Sequence, residues 1–444
     1  MYITLTEEIL LYKVSIFYYM YTIVFSFICP TFAHIKHFKD MRKTLNCILC
    51  TTFVVLVSIL LSSCDKDIPQ PNDTLKVKEN TVIVYMGAEN SLGADGFSNN
   101  DLYEMRLGSK DIPDNCQVVV FRDDRSTPSI FIFNKKGETI WKEYTTELNS
   151  ADPATMKSVL KEIIKGFPSK KYSLVLWSHG SGWIDEPNQS RSIIVDNGTN
   201  GSSNRGSWIE ISELSDVLTS LPHMEYILFD ACYMQSVEVA SQLYSYADYL
   251  IGSPTEIPGE GAPYHLIMKA MCQASPQGII EGYASAYRNG NGVLLSAVSC
   301  TDFPEFCAET AKYIPSAFPK DNMPGIAGIQ IYAPAYGNSY STQNAMPVPY
   351  DMRSAMHRVL NEEDYSAWEM AWKKAILYPT WAYSWDTIYI PNTHGDYHCT
   401  LQDEDHYGGI SMHIPNLKYD SKGWNKEFQH TPWYKMANWE QTGW

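Results

Sequence analysis

Short apolar strands that alternate with helical segments are the feature that most restricts how this chain can fold. Strands are predicted at 81–86, 117–121, 129–133, 173–177 and 226–229. A helix is predicted after the polar cluster 98–101, and another from Asp152, an N-cap residue followed by proline. Consecutive parallel strands need a helical crossover between them. The alternation therefore predicts an α/β fold with a mainly parallel central sheet flanked by helices.

The alternation continues beyond residue 232 and is harder to follow in the last third of the chain. Further elements are predicted as helices near 234–245, 302–317 and 362–377, and as strands near 249–252, 293–299 and 409–414. We expect residues 80–300 to form the core of the fold, and residues 301–444 to complete it with an aromatic-rich extension.

Composition and charge argue against two broad classes of protein. Hydrophobic residues make up 45% of the 444 positions, and 12 Trp and 30 Tyr supply ample material for a packed core, so the chain is not disordered. The formal net charge of -16, without any basic block, argues against nucleic acid as a partner. The chain is therefore expected to be a globular protein whose partner is not a nucleic acid.

The cysteines do not have the spacing of a zinc site or of a disulfide scaffold. Cys29, Cys47, Cys50 and Cys64 lie in the N-terminal segment, and the others are widely spaced without a CxxC pair: Cys116, Cys232, Cys272, Cys300, Cys307 and Cys399. Most of the latter are expected to be buried thiols. A polar stretch contains His394, Asp396, His398, Asp403, Asp405 and His406. It lacks metal-ligand spacing and is predicted to be a loop, so no metal site is predicted.

The N-terminal region has the pattern of an export signal. Met41-Arg42-Lys43 is followed by the apolar stretch 47–61 and by Leu61-Ser62-Ser63-Cys64, which resembles a bacterial lipobox. In a lipobox the cysteine, here Cys64, receives lipid and becomes the mature N-terminus. We therefore expect an exported protein that is lipid-anchored to the bacterial cell envelope, at the outer membrane or the cell surface.

The same region has a second interpretation. We expect residues 1–64 to combine a mis-assigned start with a lipoprotein signal peptide, and residues 65–79 to form an acidic, proline-containing tether. The rival is a true transmembrane helix at 14–32.

Two of the predicted strands end in residues that can perform chemistry. Strand 173–177 runs into Ser178-His179-Gly180, and strand 226–229 runs into Asp230-Ala231-Cys232. Functional groups gather at the carboxyl ends of parallel strands, so we expect the imidazole and the thiol to meet. A thiol beside an imidazole can carry out acyl transfer, because the thiolate attacks a carbonyl and the imidazole protonates the leaving amine.

The backbone around this pair is suited to stabilise an oxyanion. Gly180 allows close approach to its N–H, and the Cys232 N–H is expected near a helix start, where the dipole favours negative charge. Taken alone, a strand-end cysteine is more often a small buried hydrophobe, and a His-Gly pair is more often a turn. Together, with His179 lying 53 residues before Cys232, they match the caspase-type order, in which the spacing is about 50.

Several blocks resemble the clostripain family of caspase-fold cysteine peptidases along most of residues 80–265. The similar blocks are Glu89-Asn90-Ser91-Leu92 after the first strand, Trp177-Ser178-His179-Gly180, Phe229-Asp230-Ala231-Cys232 and the loop 253–264. Ala262 stands where the family often has Trp, and beyond about residue 300 the resemblance fades. The resemblance implies a caspase-like three-layer sandwich with C-terminal additions.

The resemblance also assigns roles to individual residues. It implies that His179 is the acid/base, that Cys232 is the nucleophile, and that Asp230 lines an acidic pocket for Arg or Lys. A second interpretation of Asp230 is a helix N-cap, a position that Asp fills well. Glu256 and Glu260 are the next candidates for the pocket carboxylate.

The activity implied is that of a cysteine endopeptidase that cleaves peptide or protein substrates after Arg, with Lys second, through a thioester. Self-cleavage after Arg191 or Arg205, around the polar loop 196–207, is also implied. Some family members use calcium, but Asp123-Asp124 lacks the ligand spacing of a dedicated loop, so calcium stays open and no other cofactor is expected. The alternatives are a catalytically silent surface lipoprotein that binds peptide or glycan, and another acyl-transfer enzyme such as an amidase or transpeptidase.

Overall fold

The computed structural model describes residues 77–184, 192–198, 206–287, 293–332, 335–336, 339–340, 347–381, 387–392, 395–400, 403 and 405–444. Several sequence-based predictions lie outside these ranges: the export signal, most of the tether, Cys64, Arg191, Arg205 and His394. Within the described residues, no helix is both long and apolar enough to cross a membrane.

The strands of the described chain are β1 (Lys78–Gly87), β2 (Cys116–Asp123), β3 (Ser129–Asn134), β4 (Gly137–Glu143), β5 (Ser169–Trp177), β6 (Ile193–Asp196), β7 (Ser207–Ile209), β8 (Met224–Asp230), β9 (Ala247–Gly252), β10 (Leu294–Ser299), β11 (Ala335–Tyr336), β12 (Ser339–Tyr340), β13 (Pro349–Asp351), β14 (Ile376–Trp381), β15 (Thr387–Asn392), β16 (Gly395–Thr400) and β17 (Ser411–His413).

The α-helices of the described chain are α1 (Ser91–Ala94), α2 (Phe97–Gly108), α3 (Pro153–Gly166), α4 (Ile211–Leu218), α5 (Val237–Leu243), α6 (Tyr264–Cys272), α7 (Pro276–Ala286), α8 (Phe303–Thr310), α9 (Ile314–Ala317), α10 (Met352–Val359), α11 (Glu362–Ala375), α12 (Trp424–His430) and α13 (Pro432–Met436). Short 3-10 helices lie at Ser109–Asp111, Tyr244–Tyr246, Lys320–Asn322, Leu417–Lys422 and Trp439–Thr442.

Nine strands of the described chain form the central sheet, in the order β14-β10-β9-β8-β5-β1-β2-β3-β4. The inner strands β9, β8, β5, β1 and β2 are parallel to their neighbours in that run. The outer pairs are antiparallel, and β14 brings the C-terminal part of the chain into the same sheet. The predicted α/β class, with a large and mostly parallel central sheet, is confirmed.

The two faces of the sheet carry separate apolar cores, which makes the fold three-layered. On β1, Val82 and Val84 belong to one core while Ile83 and Tyr85 belong to the other, because successive side chains of a strand point to opposite faces. Helices α2, α6 and α7 contribute to the first core, and α3, α4 and α5 contribute to the second. The parallel strands are thus buried on both sides, as their continuous apolar sequences predicted.

Three predicted helices differ from those observed. The helix expected after the polar cluster 98–101 begins at Phe97, so the cluster lies inside it. The single helix expected at 302–317 is divided into α8 and α9, because Pro315 lacks an N–H and its ring clashes with the preceding turn. The helix expected from 234 begins only at Val237, where the Ser236 hydroxyl accepts a hydrogen bond from the Val239 N–H at 3.2 Å. Cys232 and Tyr233 therefore lie in a turn, and the next three residues also precede the helix.

Candidate active site

The carboxyl ends of β5 and β8 bring the two predicted catalytic segments together. Trp177 and Asp230 are paired in the register of these strands, so His179 and Cys232 each lie two residues beyond the pair. The loops then contact one another directly. A Cβ atom on Gly180 would lie 2.5 Å from the carbonyl oxygen of Cys232, so this approach requires glycine.

Cys232 differs from the other cysteines whose side chains are described. Its side chain is partly exposed, whereas Cys116, Cys272, Cys300 and Cys307 are buried. The Ile257 N–H lies 3.4 Å from the Cys232 sulfur. Burial, followed by the negative charge of Glu256, raises the pKa of the Cys232 thiol to about 12. The thiol is therefore neutral near pH 7.

The turn after Cys232 is held in an unfavourable backbone conformation. Tyr233 has a φ of 61°, in the left-handed region that costs a non-glycine residue on the order of 1–3 kcal/mol. Its N–H donates to the Thr255 carbonyl at 2.9 Å, which fastens the turn to the loop that also contacts the sulfur. Such strain is typical of residues whose position matters more than their stability.

The turn after Cys232 and the following helix α5 are also bound by the C-terminal part of the chain. The Ser411 N–H donates to the Gln235 carbonyl at 3.0 Å, and the His413 N–H donates to the Glu238 carboxylate at 2.7 Å. The Trp433 N–H donates to the Ser241 hydroxyl at 3.1 Å. The C-terminal residues thus support the element that presents the thiol.

The imidazole of His179 is oriented by the turn that follows β1. Its Nε2 lies 2.8 Å from the Ser91 hydroxyl. The preceding Asn90 caps α1 and donates from its amide to the carbonyls of Gly87 at 2.9 Å and Val195 at 3.1 Å, which fixes Ser91 in place. Burial lowers the pKa of the His179 imidazole to about 4. The imidazole, like the thiol, is therefore neutral near pH 7.

Asp230 is the last residue of β8, and its side chain is 3% exposed. Its carboxylate accepts hydrogen bonds from the Ala262 N–H at 3.0 Å and from the hydroxyls of Tyr264 at 2.9 Å and Tyr283 at 3.0 Å. Burial raises the pKa of Asp230 to about 6, although these donors oppose the shift. The helix N-cap interpretation is wrong, because the next helix begins at Val237 with Ser236 as its cap.

A second buried acid lies beside Asp230. Asp101, on α2, is 1% exposed and accepts a hydrogen bond from the indole N–H of Trp177 at 2.6 Å. Burial, followed by the negative charge of Asp230, raises the pKa of Asp101 to about 9. Asp101 is therefore neutral near pH 7, and Asp230 carries the charge.

A cavity of about 320 Å³ contains the predicted site. Cys232, His179, Gly180, Asp230 and Glu256 all line it. Other lining residues include Trp177, Ile257, Pro258, Gly259 and Gly261. Glu256 is partly exposed, and burial raises its pKa to about 7. Glu260 is exposed and is not among the lining residues, so its side chain does not join the others.

The oxyanion site predicted at Gly180 and Cys232 needs one correction. Because the helix begins at Val237, its N-terminal dipole is not directed at the Cys232 N–H. The two backbone segments are nevertheless adjacent, as the close contact between Gly180 and the Cys232 carbonyl demonstrates. Their role in stabilising an oxyanion stays a prediction.

Two groups of side chains in the described ranges are close enough to share a metal ion: His357 with Asp403 and His406, and Glu89 with Asp123 and Glu147. In the first group the Nδ1 atom of His406 lies 2.9 Å from an Asp403 oxygen, and the rings of His357 and His406 stack 3.3 Å apart. Asp403 and His406 come from the stretch that was predicted to be a polar loop. That prediction is wrong for Asp396 and His398, which lie in strand β16 and pair with β15. His357 was not linked to Asp403 and His406 by any sequence spacing.

The model of the Clostripain family matches residues 84–444, a range that contains both His179 and Cys232. The chain belongs to the clostripain family.

Individual relatives of the clostripain family are similar to this chain at modest identity. Clostripain of Hathewaya histolytica is 27% identical over an alignment of 218 residues, with coverage of 42% of this chain and 41% of that protein. The X-ray structure of a secreted C11 cysteine protease from Bacteroides thetaiotaomicron, in complex with an irreversible peptide inhibitor, is 28% identical, with a TM-score of 0.68 and coverage of 82% of this chain and 99% of that one. An inactive zymogen C11 protease from Parabacteroides distasonis is 24% identical, with a TM-score of 0.66 and coverage of 81% of this chain and 98% of that one. This similarity supports the fold alone.

Sequence reasoning missed several residues of this clostripain-family site. No role was predicted for Ser91, Asp101, Tyr264 or Tyr283, which hold the imidazole or surround the buried carboxylate. Ser91 and Tyr264 lie in blocks that resemble the family, which was the available signal for these two residues. Asp101 was interpreted as part of a helix start, and nothing in the spacing relates it to Asp230.

Proposed function

We propose that this chain is a cysteine endopeptidase that hydrolyses peptide bonds after basic residues, Arg in preference to Lys. The observation that supports this most is that one cavity is lined by a thiol, an imidazole and a buried carboxylate, those of Cys232, His179 and Asp230. Membership of the clostripain family supports the same reaction class.

The proposed reaction begins from a neutral pair. His179 accepts the thiol proton while the Cys232 sulfur attacks the scissile carbonyl, since neither group is charged beforehand. The tetrahedral oxyanion is stabilised by the N–H groups of Gly180 and Cys232. His179 then returns the proton to the leaving amine, and water hydrolyses the thioester. Because Ser91 engages Nε2, the proton transfers are assigned to Nδ1.

Basic specificity is assigned to Asp230. All three of its hydrogen-bond donors, the Ala262 N–H and two tyrosine hydroxyls, are neutral, so they leave its negative charge uncancelled. A guanidinium can engage a carboxylate through two parallel hydrogen bonds, whereas an ammonium offers a point charge. Glu256, which also lines the cavity, is the second candidate for contact with a basic side chain.

The proposal is tested with fluorogenic peptides that differ only in Arg, Lys or citrulline before the cleaved bond. We expect Arg to be cleaved fastest and citrulline slowest, and we expect Cys232→Ala to abolish turnover, because the covalent pathway is then absent. The matched control is Cys307→Ala, which removes a buried thiol outside the cavity. Binding of peptide or glycan without turnover in the intact protein would instead favour a catalytically silent binding protein.

The N-terminal sequence supports a further proposal, that the protein is exported and anchored by lipid on Cys64. The Bacteroides thetaiotaomicron relative is described as secreted, which is consistent with export. In fractionated cells the protein should be found with membranes, and Cys64→Ala should release it or leave it unprocessed. Equal membrane association of the variant would favour a transmembrane segment at 14–32.

A further inference from the structure

Three side chains that can bind a metal lie together outside the catalytic cavity, in the C-terminal part of the chain. They are His357, in the last turn of α10, and Asp403 and His406, in the segment that precedes β17. One ligand atom from each lies within 4.8 Å of the others. None of them lines the cavity that contains Cys232. These three residues are called the His-Asp-His cluster below.

The two imidazole rings of the His-Asp-His cluster face each other at contact distance. The ring centroids of His357 and His406 are 3.3 Å apart, and the ring planes are within 11° of parallel. Tyr365, on α11, packs in a T-shaped arrangement against both rings, at centroid distances of 4.8 Å and 5.9 Å. The packing thus holds the two imidazoles side by side.

The carboxylate of the cluster is oriented by residues that would not themselves touch a metal. The Ser354 hydroxyl, one turn before His357 on α10, donates to the Oδ2 atom of Asp403 at 2.7 Å, and it accepts the Gln330 N–H at 2.9 Å. The Asp403 N–H donates to the Oε1 atom of Gln330 at 3.2 Å. The Oδ1 atom of Asp403 lies 2.9 Å from the Nδ1 atom of His406. Outer hydrogen bonds of this kind are typical of metal sites, because they fix the orientation of the ligands.

The segment 403–409 is also fastened along helix α10 through its backbone. The Arg353 guanidinium donates to the Asp405 carbonyl at 3.0 Å, and the Gly408 N–H donates to the Asp351 carboxylate at 2.8 Å. A Cβ atom on Gly408 would lie 2.7 Å from the Cβ of Arg353, so this approach requires glycine. The fold therefore prepares the cluster on both sides of the contact.

The positive charge of Arg353 does not exclude a bound cation nearby. Its Nη2 and Nε atoms donate to one Glu369 carboxylate oxygen at 2.5 Å and 3.0 Å. The guanidinium also lies over the Trp372 ring, 4.9 Å from its centroid. The charge of Arg353 is therefore compensated by a carboxylate that is not a member of the cluster.

The donor atoms indicate which metal fits the cluster. Two imidazoles and one carboxylate are a ligand set typical of zinc, whereas calcium and magnesium prefer oxygen ligands alone. In a tetrahedral zinc site with bonds of about 2.0–2.2 Å, the ligand atoms lie roughly 3.3–3.6 Å apart. Rotation of these partly exposed side chains would bring their ligand atoms, now within 4.8 Å, to that spacing. His357 is exposed, so water can occupy the fourth position.

We propose that His357, Asp403 and His406 bind a zinc ion. The ion would tie the end of α10 to the residues that lead into β17, where the Ser411 N–H donates to the Gln235 carbonyl at 3.0 Å. Zinc would thus stabilise the part of the chain that supports the turn presenting the thiol. The sequence predicted no metal site, because nothing in its spacing relates His357 to the other two ligands. The binding proposal does not depend on the proposed peptidase activity.

The test is a calorimetric titration of zinc chloride into the full chain, purified in detergent and freed of metal with a chelator. The protein should bind one zinc ion at the cluster, and its thermal midpoint should rise with zinc. His357→Ala and Asp403→Asn should each weaken this binding roughly tenfold or more and remove the rise.

The matched control is His223→Ala. His223 lies 2.9 Å from Asp248, the same distance that separates His406 from Asp403, but among the described residues it belongs to no cluster of three possible ligands. This variant should change zinc affinity by less than about twofold.

Other outcomes would overturn the proposal. Absence of zinc uptake, or unchanged affinity in His357→Ala, would mean that the cluster is a hydrogen-bonded contact and not a metal site. Uptake that is lost in Cys232→Ala but kept in His357→Ala would place the ion on the catalytic thiol, and calcium binding as tight as zinc binding would overturn the choice of ion. Should Asp403→Asn fail to fold, His357→Ala decides the question, because the His357 side chain is exposed.

Discussion

Two acidic regions at the same edge of the sheet satisfy their buried carboxylates in opposite ways. Asp230 is surrounded by neutral donors from Ala262, Tyr264 and Tyr283, whereas the buried carboxylate oxygens of Glu89 and Asp123 have no hydrogen-bond partner at ordinary distance and angle. A carboxylate held by neutral donors keeps its charge and can release a bound cation when a reaction ends. Carboxylates without donors are stable only when they are protonated or permanently occupied by a cation. The difference separates a carboxylate that can hold its charge near neutral pH from carboxylates that favour the protonated form.

The strongest test of this comparison is Asp230→Asn. The amide keeps the shape but removes the charge, so kcat/KM for an Arg peptide should fall on the order of a hundredfold to a few thousandfold, corresponding to about 3–5 kcal/mol. Activity toward the citrulline peptide should change little. The matched variant is Asp101→Asn, which replaces the neutral neighbour and should cost less than about tenfold. Full Arg preference in Asp230→Asn would transfer the role to Glu256.

The pH dependence of kcat/KM tests the same comparison, and the expected effect is of intermediate size. Asp230, with its pKa raised to about 6, gains negative charge as pH rises, so kcat/KM for an Arg peptide should increase about tenfold between pH 5 and pH 7. His179, with its pKa lowered to about 4, is already neutral in that range and should not contribute. The citrulline peptide and the Asp230→Asn variant should therefore lack this rise. A rise in kcat/KM near pH 6 for both the citrulline peptide and the Asp230→Asn variant would assign the titration to another group.

The smallest expected effect concerns Ser91, which lies between the two acidic regions. Its hydroxyl lies 2.8 Å from the His179 Nε2, so Ser91→Ala should lower kcat roughly threefold to tenfold and leave KM unchanged if the hydroxyl only positions the imidazole. Ser91→Thr keeps the hydroxyl and should restore most of the rate. A change in KM alone, or an Ala variant with the full rate, would remove the positioning role.

The sequence was sufficient to predict the elements that carry their own local signal. Apolar runs and the polar residues that end them are local patterns, so they can be found in the sequence. The ends of the strands at Trp177 and Asp230 predicted that His179 and Cys232 would lie at the same edge of the sheet, and these two strand ends are paired. The confirmed α/β class follows from the same patterns. The boundaries of the helix after Cys232 were less predictable, since Ser236 rather than Asp230 caps it.

The surroundings of each carboxylate could not be predicted in this way. Tyr264 and Tyr283 lie 34 and 53 residues from Asp230, and only the packing of α6 and α7 on the sheet brings their hydroxyls to it. The same limit applies to the pair Asp123 and Asp124. Their sequence spacing argued against a calcium loop, whereas the tertiary structure separates them and joins Asp123 to Glu89.

The hydrogen bonds between the C-terminal residues and the turn before α5 have a consequence for the order in which the chain can fold. The Ser411 hydroxyl and the Gln235 carbonyl, which are hydrogen-bonded, are separated by 176 residues. At about 5–20 residues per second, a ribosome needs roughly 10–35 seconds to synthesise that interval. During those seconds the strained turn at Tyr233 is without its C-terminal support. Cys232 is therefore synthesised about halfway through translation, but its turn is fully braced only when the chain is nearly complete.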